Sequence, residues 1–176
     1  MKALLTVLSR LHEGFQSPII VVLHVHPTES GYLAEHLGER CGLPVKEALD
    51  KEPAQAGVVY VAPPGYHLLV EREETLALSA DEPVRFARPS IDVLFESAAH
   101  VWSWRLIGVI LSGANSDGAY GISQIRKFGG LTIAQDPTTA EYPVMPQSAV
   151  DTASVAKILS PEEIGGFLGG MNCSTK

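Results

Sequence analysis

Positive charge, cysteine and long apolar runs are all scarce in this chain. Lys and Arg total 13 against 20 Asp and Glu in 176 residues, a formal charge of -7. That balance excludes the basic footprint of a nucleic-acid binder and speaks against anionic membrane surfaces. Cys41 and Cys173 are the two cysteines, too few and too far apart for a disulfide framework or a zinc pattern, which favours a reducing compartment. No stretch approaches the ~18 apolar residues of a membrane span. The apolar opening is interrupted by Arg10 with no small-x-small cleavage site after it, so it reads as an amphipathic helix rather than a signal peptide. A cytoplasmic protein without membrane insertion is expected. Repeats and low-complexity linkers are also missing, and the glycine-rich loop at 113–118 lacks the Gly-Lys-Ser/Thr of a phosphate-binding P-loop. No cofactor is expected.

What is present is ordinary globular material, 45% hydrophobic and 19% charged, enough for one domain with a proper core. Residues 1–168 read as that domain and 169–176 as a tail. Ala3, Leu4, Val7, Leu8 and Leu11 recur at helical spacing, predicting a helix over 2–11. Pro18 introduces the apolar run Ile19 to Leu23, a strand that ends in His24-Val25-His26-Pro27. A helix over about 31–41, capped by Ser30 or a neighbour, stops at Gly42 and Pro44, and Val45 to Leu49 is a short strand. Val58 to Ala62 is a strand closed by Pro63-Pro64-Gly65. His67–Val70 and Thr75–Leu78 flank the charged tip 71–74, predicting an antiparallel hairpin.

Ser90 precedes a helix from Ile91, with Asp92 suited to its N-terminal dipole. Leu106 to Leu111 is a near-continuous apolar run, the mark of a parallel strand covered on both faces. After the loop holding Asp117 come a helix to about Phe128, a stop at Gly129-Gly130 and a strand over Leu131–Ala134. Ser160-Pro161-Glu162-Glu163 carries a capping-box pattern and opens a last helix to about Leu168. Strands alternating with helices give an α/β, doubly wound, mostly parallel sheet with an antiparallel hairpin at one edge, in a single domain.

His24 and Asp117 each follow the end of a predicted parallel strand, where open sheets bind ligands. A histidine oriented by a buried carboxylate is a general base, usually for a Ser or Cys nucleophile. The small residues of the 113–118 loop would let backbone N–H groups reach a reacting oxygen, as an oxyanion hole requires; a tight strand-to-helix turn accounts for them equally well. A competing reading has His24 and His26 ligating a metal for hydrolysis. The barrels that use such a pair need roughly 250 residues. His67 reads as a turn or strand-edge residue and His100 as a helix C-terminal cation.

Five segments together resemble the catalytic domain of the bacterial chemotaxis protein-glutamate methylesterase (CheB-like) family: Val21-Val-Leu-His24-x-x-Pro27; Val59-Tyr-Val-Ala-Pro63 with His67; Arg88-Pro-Ser-Ile-Asp-Val-Leu-Phe95; Gly108-Val-Ile-Leu-Ser-Gly113-x-x-x-Asp117-Gly118; and Ala134-Gln135 with Met145-Pro146. The resemblance implies hydrolysis of glutamate methyl esters on chemoreceptor cytoplasmic helices through a Ser-His-Asp triad, releasing methanol. It makes His24 the base and Asp117 its orienting carboxylate, places the backbone of Gly113 and Ala114 near the oxyanion, and puts Arg88 and Met145 at the substrate. The family's nucleophile sits in a Gly-Ala-Ser-x-Gly-Gly turn just before the helix that matches Lys2 to Leu11. This chain is expected to begin after that turn, without the serine and without an interior strand, which would favour a homodimer or a marginal fold. A non-catalytic binding module on the same fold is the alternative reading.

Overall fold

A computed structural model describes residues 1–24 and 32–171. The parallel strands form two three-stranded sheets. In the first, β3 (Val59–Val61) lies between β1 (Ile19–Val21) and β2 (Val45–Glu47), with both Ile19 and Val45 opposite Val59. In the second, β7 (Leu131–Gln135) lies between β6 (Ile107–Ile110) and β8 (Lys157–Leu159). The central strands β3 and β7 are the most buried, whereas the edge strand β8 is largely exposed and has no apolar run to mark it in the sequence. No ladder joins β1 to β6 among the described residues. Apolar packing joins them instead: Val22 contributes to the cluster around Ile110, and Leu111 to the cluster around Val21.

The expected hairpin forms from β4 (His67–Val70) and β5 (Leu76–Ser79), antiparallel, with Val70 opposite Leu76. Helix α1 (Lys2–Leu8) buries Leu4 and Leu8 in one cluster with Leu33 and Leu37 of α2 (Tyr32–Gly38), and Val7 in another with Ile133 and Ile164. The region that the notion of a Ser30 cap concerned, with His26 and Pro27, lies outside the described residues.

Helix α3 (Ile91–Trp102) turns Leu94 and Ala98 toward β3 and β4, and α4 (Ala119–Lys127) buries Ile122 and Ile125. Full burial of such aliphatic side chains stabilises by about 1.5–3 kcal/mol each. The two helices approach closely because residue 121 has no side chain. A Cβ on Gly121 would lie 2.5 Å from Phe95 Cβ and 3.2 Å from Asp92 Cα. Gly118, at φ +92°, turns the chain into α4 where a Cβ would meet Ile110 and Ile91.

Helix α5 (Val144–Asp151) carries Met145 and Pro146. Its prolines at 143 and 146 disguise it in the sequence, yet both fall at the cap or in the first turn, where no intrahelical N–H bond is lost. Helix α6 (Pro161–Gly170) begins with the anticipated capping box: Ser160 Oγ accepts from Glu163 N at 3.3 Å, and Glu163 Oε2 accepts from Ser160 N at 2.8 Å. It continues through Gly169, which sits against the Arg10 carbonyl, so the segment expected as tail starts within the helix. No helix is long and apolar enough to cross a membrane among the described residues.

Candidate active site

The loop after β6 and the chain leaving β1 meet at Asp117. This carboxylate is 2% exposed and accepts four hydrogen bonds. Oδ2 takes His24 Nε2 at 2.8 Å and the Ile91 N–H at 2.7 Å. Oδ1 takes the Ser90 hydroxyl at 2.9 Å and the Asp92 N–H at 3.0 Å. Ser90, the residue at the N-cap of α3, makes no side-chain cap bond of its own and gives its hydroxyl to Asp117. Asp117, from a distant loop, satisfies the first N–H groups of α3 and meets the positive end of that helix.

The favour is returned across the helix pair. Asp92 Oδ1 accepts the Gly121 N–H at 2.7 Å, so a residue at the start of α3 caps the first turn of α4. The close approach at Gly121 makes this reach possible. Two buried carboxylates thus lie at two converging helix N-termini, and they titrate differently. Burial pushes the Asp117 carboxyl up, but the donors from His24, Ile91, Asp92 and Ser90 outweigh it and hold the group below the usual carboxylate range. At Asp92, burial prevails over the Gly121 N–H, the Asp117 charge adds to it, and the carboxyl is pushed up.

The signs follow from linkage. Asp117, depressed when folded, contributes stability that is present above the ordinary carboxylate range and lost as pH falls through its folded value. Asp92, raised when folded, costs stability as pH climbs through the carboxylate range and the group must ionise. Asp92→Asn keeps an oxygen for the Gly121 N–H and removes the charge. Urea unfolding at about pH 7 should therefore show a gain of roughly 1 kcal/mol that shrinks toward about pH 4. A loss at pH 7 would contradict this reading of the pair.

His67, read from sequence as a strand-edge residue, is on β4 and 2% exposed. Its Nδ1 accepts the Ser90 N–H at 3.2 Å, and its Nε2 donates to the Glu82 carbonyl at 3.1 Å. It is a support for the Ser90 backbone, one residue removed from the carboxylate. His100, on the last turn of α3, contacts Phe128 and bonds within its own helix.

His24 is an exposed residue whose side chain retains 26% of its accessible surface. Its second ring nitrogen, Nδ1, lies 3.0 Å from Asn115 Nδ2. Both nitrogens thus have protein partners, Asp117 at Nε2 and Asn115 at Nδ1. The other proposed ligand, His26, is outside the described residues, and no group of three metal-binding side chains occurs among the described ones.

The loop 112–118 divides its backbone. The Gly113 N–H donates to the Tyr142 carbonyl at 3.0 Å, and its carbonyl accepts the Met145 N–H at 2.9 Å. A Cβ at 113 would lie 2.5 Å from Met145 Cε, so glycine is what lets Met145 lie over this loop. Ser112 Oγ accepts the Tyr142 N–H at 2.9 Å. Ala114 is exposed, and its N–H has no partner among the described residues.

A cleft of about 310 Å³ opens onto His24 and Asn115, walled by Arg85, Phe86, Arg88 and Pro89. Arg88 Nη1 donates to the Ala80 and Asp81 carbonyls at 2.8 and 3.0 Å, pinning the neighbouring loop. Sequence reasoning missed Arg85 and Phe86. They form the tip of a tight two-residue hairpin turn, with Val84 and Ala87 exchanging N–H···O bonds of 3.1 and 2.9 Å. Their φ angles are +49° and +67°, a pair that normally demands Asn-Gly. Phe86 is fully exposed. A second depression of about 410 Å³, between the hairpin and α3, contains none of these groups.

A CheB methylesterase family profile matches residues 1–168. A relative from Leptospira interrogans is 48% identical over 164 residues, spanning 93% of this chain and 85% of its own length. A protein-glutamate methylesterase/protein-glutamine glutaminase from Symbiobacterium thermophilum is 41% identical over 162 residues, 92% of this chain but 45% of the longer relative. The crystal structure of the Thermotoga maritima CheB methylesterase catalytic domain superposes with a TM-score of 0.92 at 30% identity, covering 97% of this chain and 92% of that one. With the α/β fold and these likenesses in agreement, the chain belongs to the CheB methylesterase family.

Proposed function

We propose that this domain supplies the base and the substrate cleft for hydrolysis of glutamate methyl esters on chemoreceptor cytoplasmic helices. The observation that carries the reading is the 2.8 Å bond from His24 Nε2 to a buried Asp117 that three further donors keep ionised. In this reading the His24 nitrogen facing the cleft takes the proton of an attacking hydroxyl as the oxygen bonds to the ester carbonyl carbon. The oxyanion is met by the Ala114 N–H, since the Gly113 N–H is committed to Tyr142. His24 then returns the proton to the departing methoxide, giving methanol, and water repeats the sequence on the acyl intermediate. Relatives that carry the glutaminase name point to the same steps with ammonia as leaving group.

No hydroxyl among the described residues is hydrogen-bonded to His24, and the 176 residues contain no Gly-Ala-Ser-x-Gly-Gly turn. The test therefore compares the 176 residues with the same chain carrying a strand and that turn ahead of Met1. Methylated receptor membranes should release methanol with the second protein and not with the first. Equal release by both, or none from a folded fusion, would refute the assignment.

The strained tip beside the cleft supports Arg85 and Phe86 as substrate-contacting residues, with Arg88 behind them. Two non-glycine residues in the left-handed region cost of order 1 kcal/mol each. Replacing Arg85-Phe86 by Asn-Gly should raise unfolding stability by about 2 kcal/mol and raise KM for receptor several-fold with kcat little changed. An unchanged KM would remove these residues from the substrate surface.

A further inference from the structure

We infer that Asn115 is a positioning residue for His24: its amide nitrogen donates to Nδ1 and so holds the ring with its proton on Nε2, toward Asp117, and its lone pair on the cleft side. The orientation of the Asn115 amide is fixed from outside the pair. The Asp117 N–H lies 3.0 Å from Asn115 Oδ1, and an N–H can only donate, so the atom it meets must be the carbonyl oxygen. The group 3.0 Å from His24 Nδ1 is then the NH₂, which can only donate in turn. Nδ1 must be the acceptor, which leaves Nε2 as the N–H that faces the carboxylate at 2.8 Å.

One backbone N–H, acting through one short side chain, thus specifies the same tautomer that Asp117 requires from the other side of the ring. Asn115 is exposed, unlike the carboxylate. It is the partner free to leave. A hydroxyl that surrenders its proton to Nδ1 must take the place of the amide, so Asn115 keeps the ring aimed until that exchange. The consequence for turnover rests on the reading of His24 as the base. The pairing itself does not, and it is measured without any substrate.

The discriminating variant is Asn115→Asp. It keeps an oxygen for the Asp117 N–H and the local turn, and changes only what faces His24 from a donor to an anionic acceptor. In ¹⁵N spectra of histidine-labelled protein, the parent should show Nδ1 unprotonated and Nε2 protonated. Asn115→Asp should hold a proton on both nitrogens to higher pH, with roughly tenfold or greater gain in ring proton affinity. Asn115→Ala should fall between, with a gain of about three- to tenfold. A residue that merely shapes the loop would leave Asn115→Asp titrating like the parent, and that result overturns the inference, as does a parent spectrum with the proton on Nδ1. If Asn115→Asp melts cooperatively at a much lower temperature, the parent spectrum and Asn115→Ala decide alone. These spectral changes with ester hydrolysis undiminished would count against the base assignment and not against the pair.

Discussion

Asp117→Ala should lower the melting temperature by about 10 °C, the largest stability loss expected of any single substitution at the site. The alanine strands the Ile91 and Asp92 N–H groups at the start of α3, the Ser90 hydroxyl and His24 Nε2, all four of which now end on this carboxylate. Buried donors left without partners cost about 1–3 kcal/mol each, less where the hydroxyl or the half-exposed imidazole can turn to water. A total of roughly 3–5 kcal/mol results, a large part of the 5–15 kcal/mol typical of a domain. Asp117→Asn retains one acceptor oxygen and should lose about half as much, whereas Ser90→Ala should lose about 1 kcal/mol. Scanning calorimetry of the three variants gives the order. If Asp117→Ala melts within a few degrees of the parent, the carboxylate is not what holds α3 in place.

The other large effect is kinetic. In the protein carrying the serine turn, Asp117→Asn should reduce methanol release by about 10³- to 10⁴-fold, far beyond what its modest instability explains. An amide at 117 can present its NH₂ to His24 Nε2, which then must accept, moving the ring proton to Nδ1 where the hydroxyl needs a lone pair. In the parent Asp117 on one side and Asn115 on the other demand the same tautomer, whereas in the variant the two sides conflict and the ring loses its fixed productive form. The signature is a fall in kcat with KM little altered. A fall in KM-dependent binding alone would indicate that Asp117 shapes the cleft without orienting the base.

The elements that could be read from the residues are those whose information is local. The apolar run of β6, the hairpin tip at 71–74 and the Ser160–Glu163 capping box are each specified by neighbours in the chain. The strand-end positions of His24 and Asp117 likewise followed from the pattern, and the structure brings the two together. What escaped is non-local. Asp117 capping α3 and Asp92 capping α4 depend on a helix approach that only Gly121 hints at. Ser90 precedes α3 as the sequence shows, but that its hydroxyl serves a carboxylate 27 residues away is not legible locally. The burial of His67 and the commitment of the Gly113 N–H to Tyr142 are tertiary facts without a sequence period. Arg85-Phe86 contradicts the turn chemistry expected of its backbone, and such local misfits are where function tends to reside.

The measurement that bears most directly on the role of His24 is methanol release from methylated receptor by the serine-turn protein and its His24→Ala variant, with matched circular dichroism spectra. If His24 and Asp117 are the base and its orienting carboxylate, the variant should be slower by about 10⁴-fold or more while remaining folded. A folded His24→Ala protein that retains even a tenth of the parent rate would contradict it.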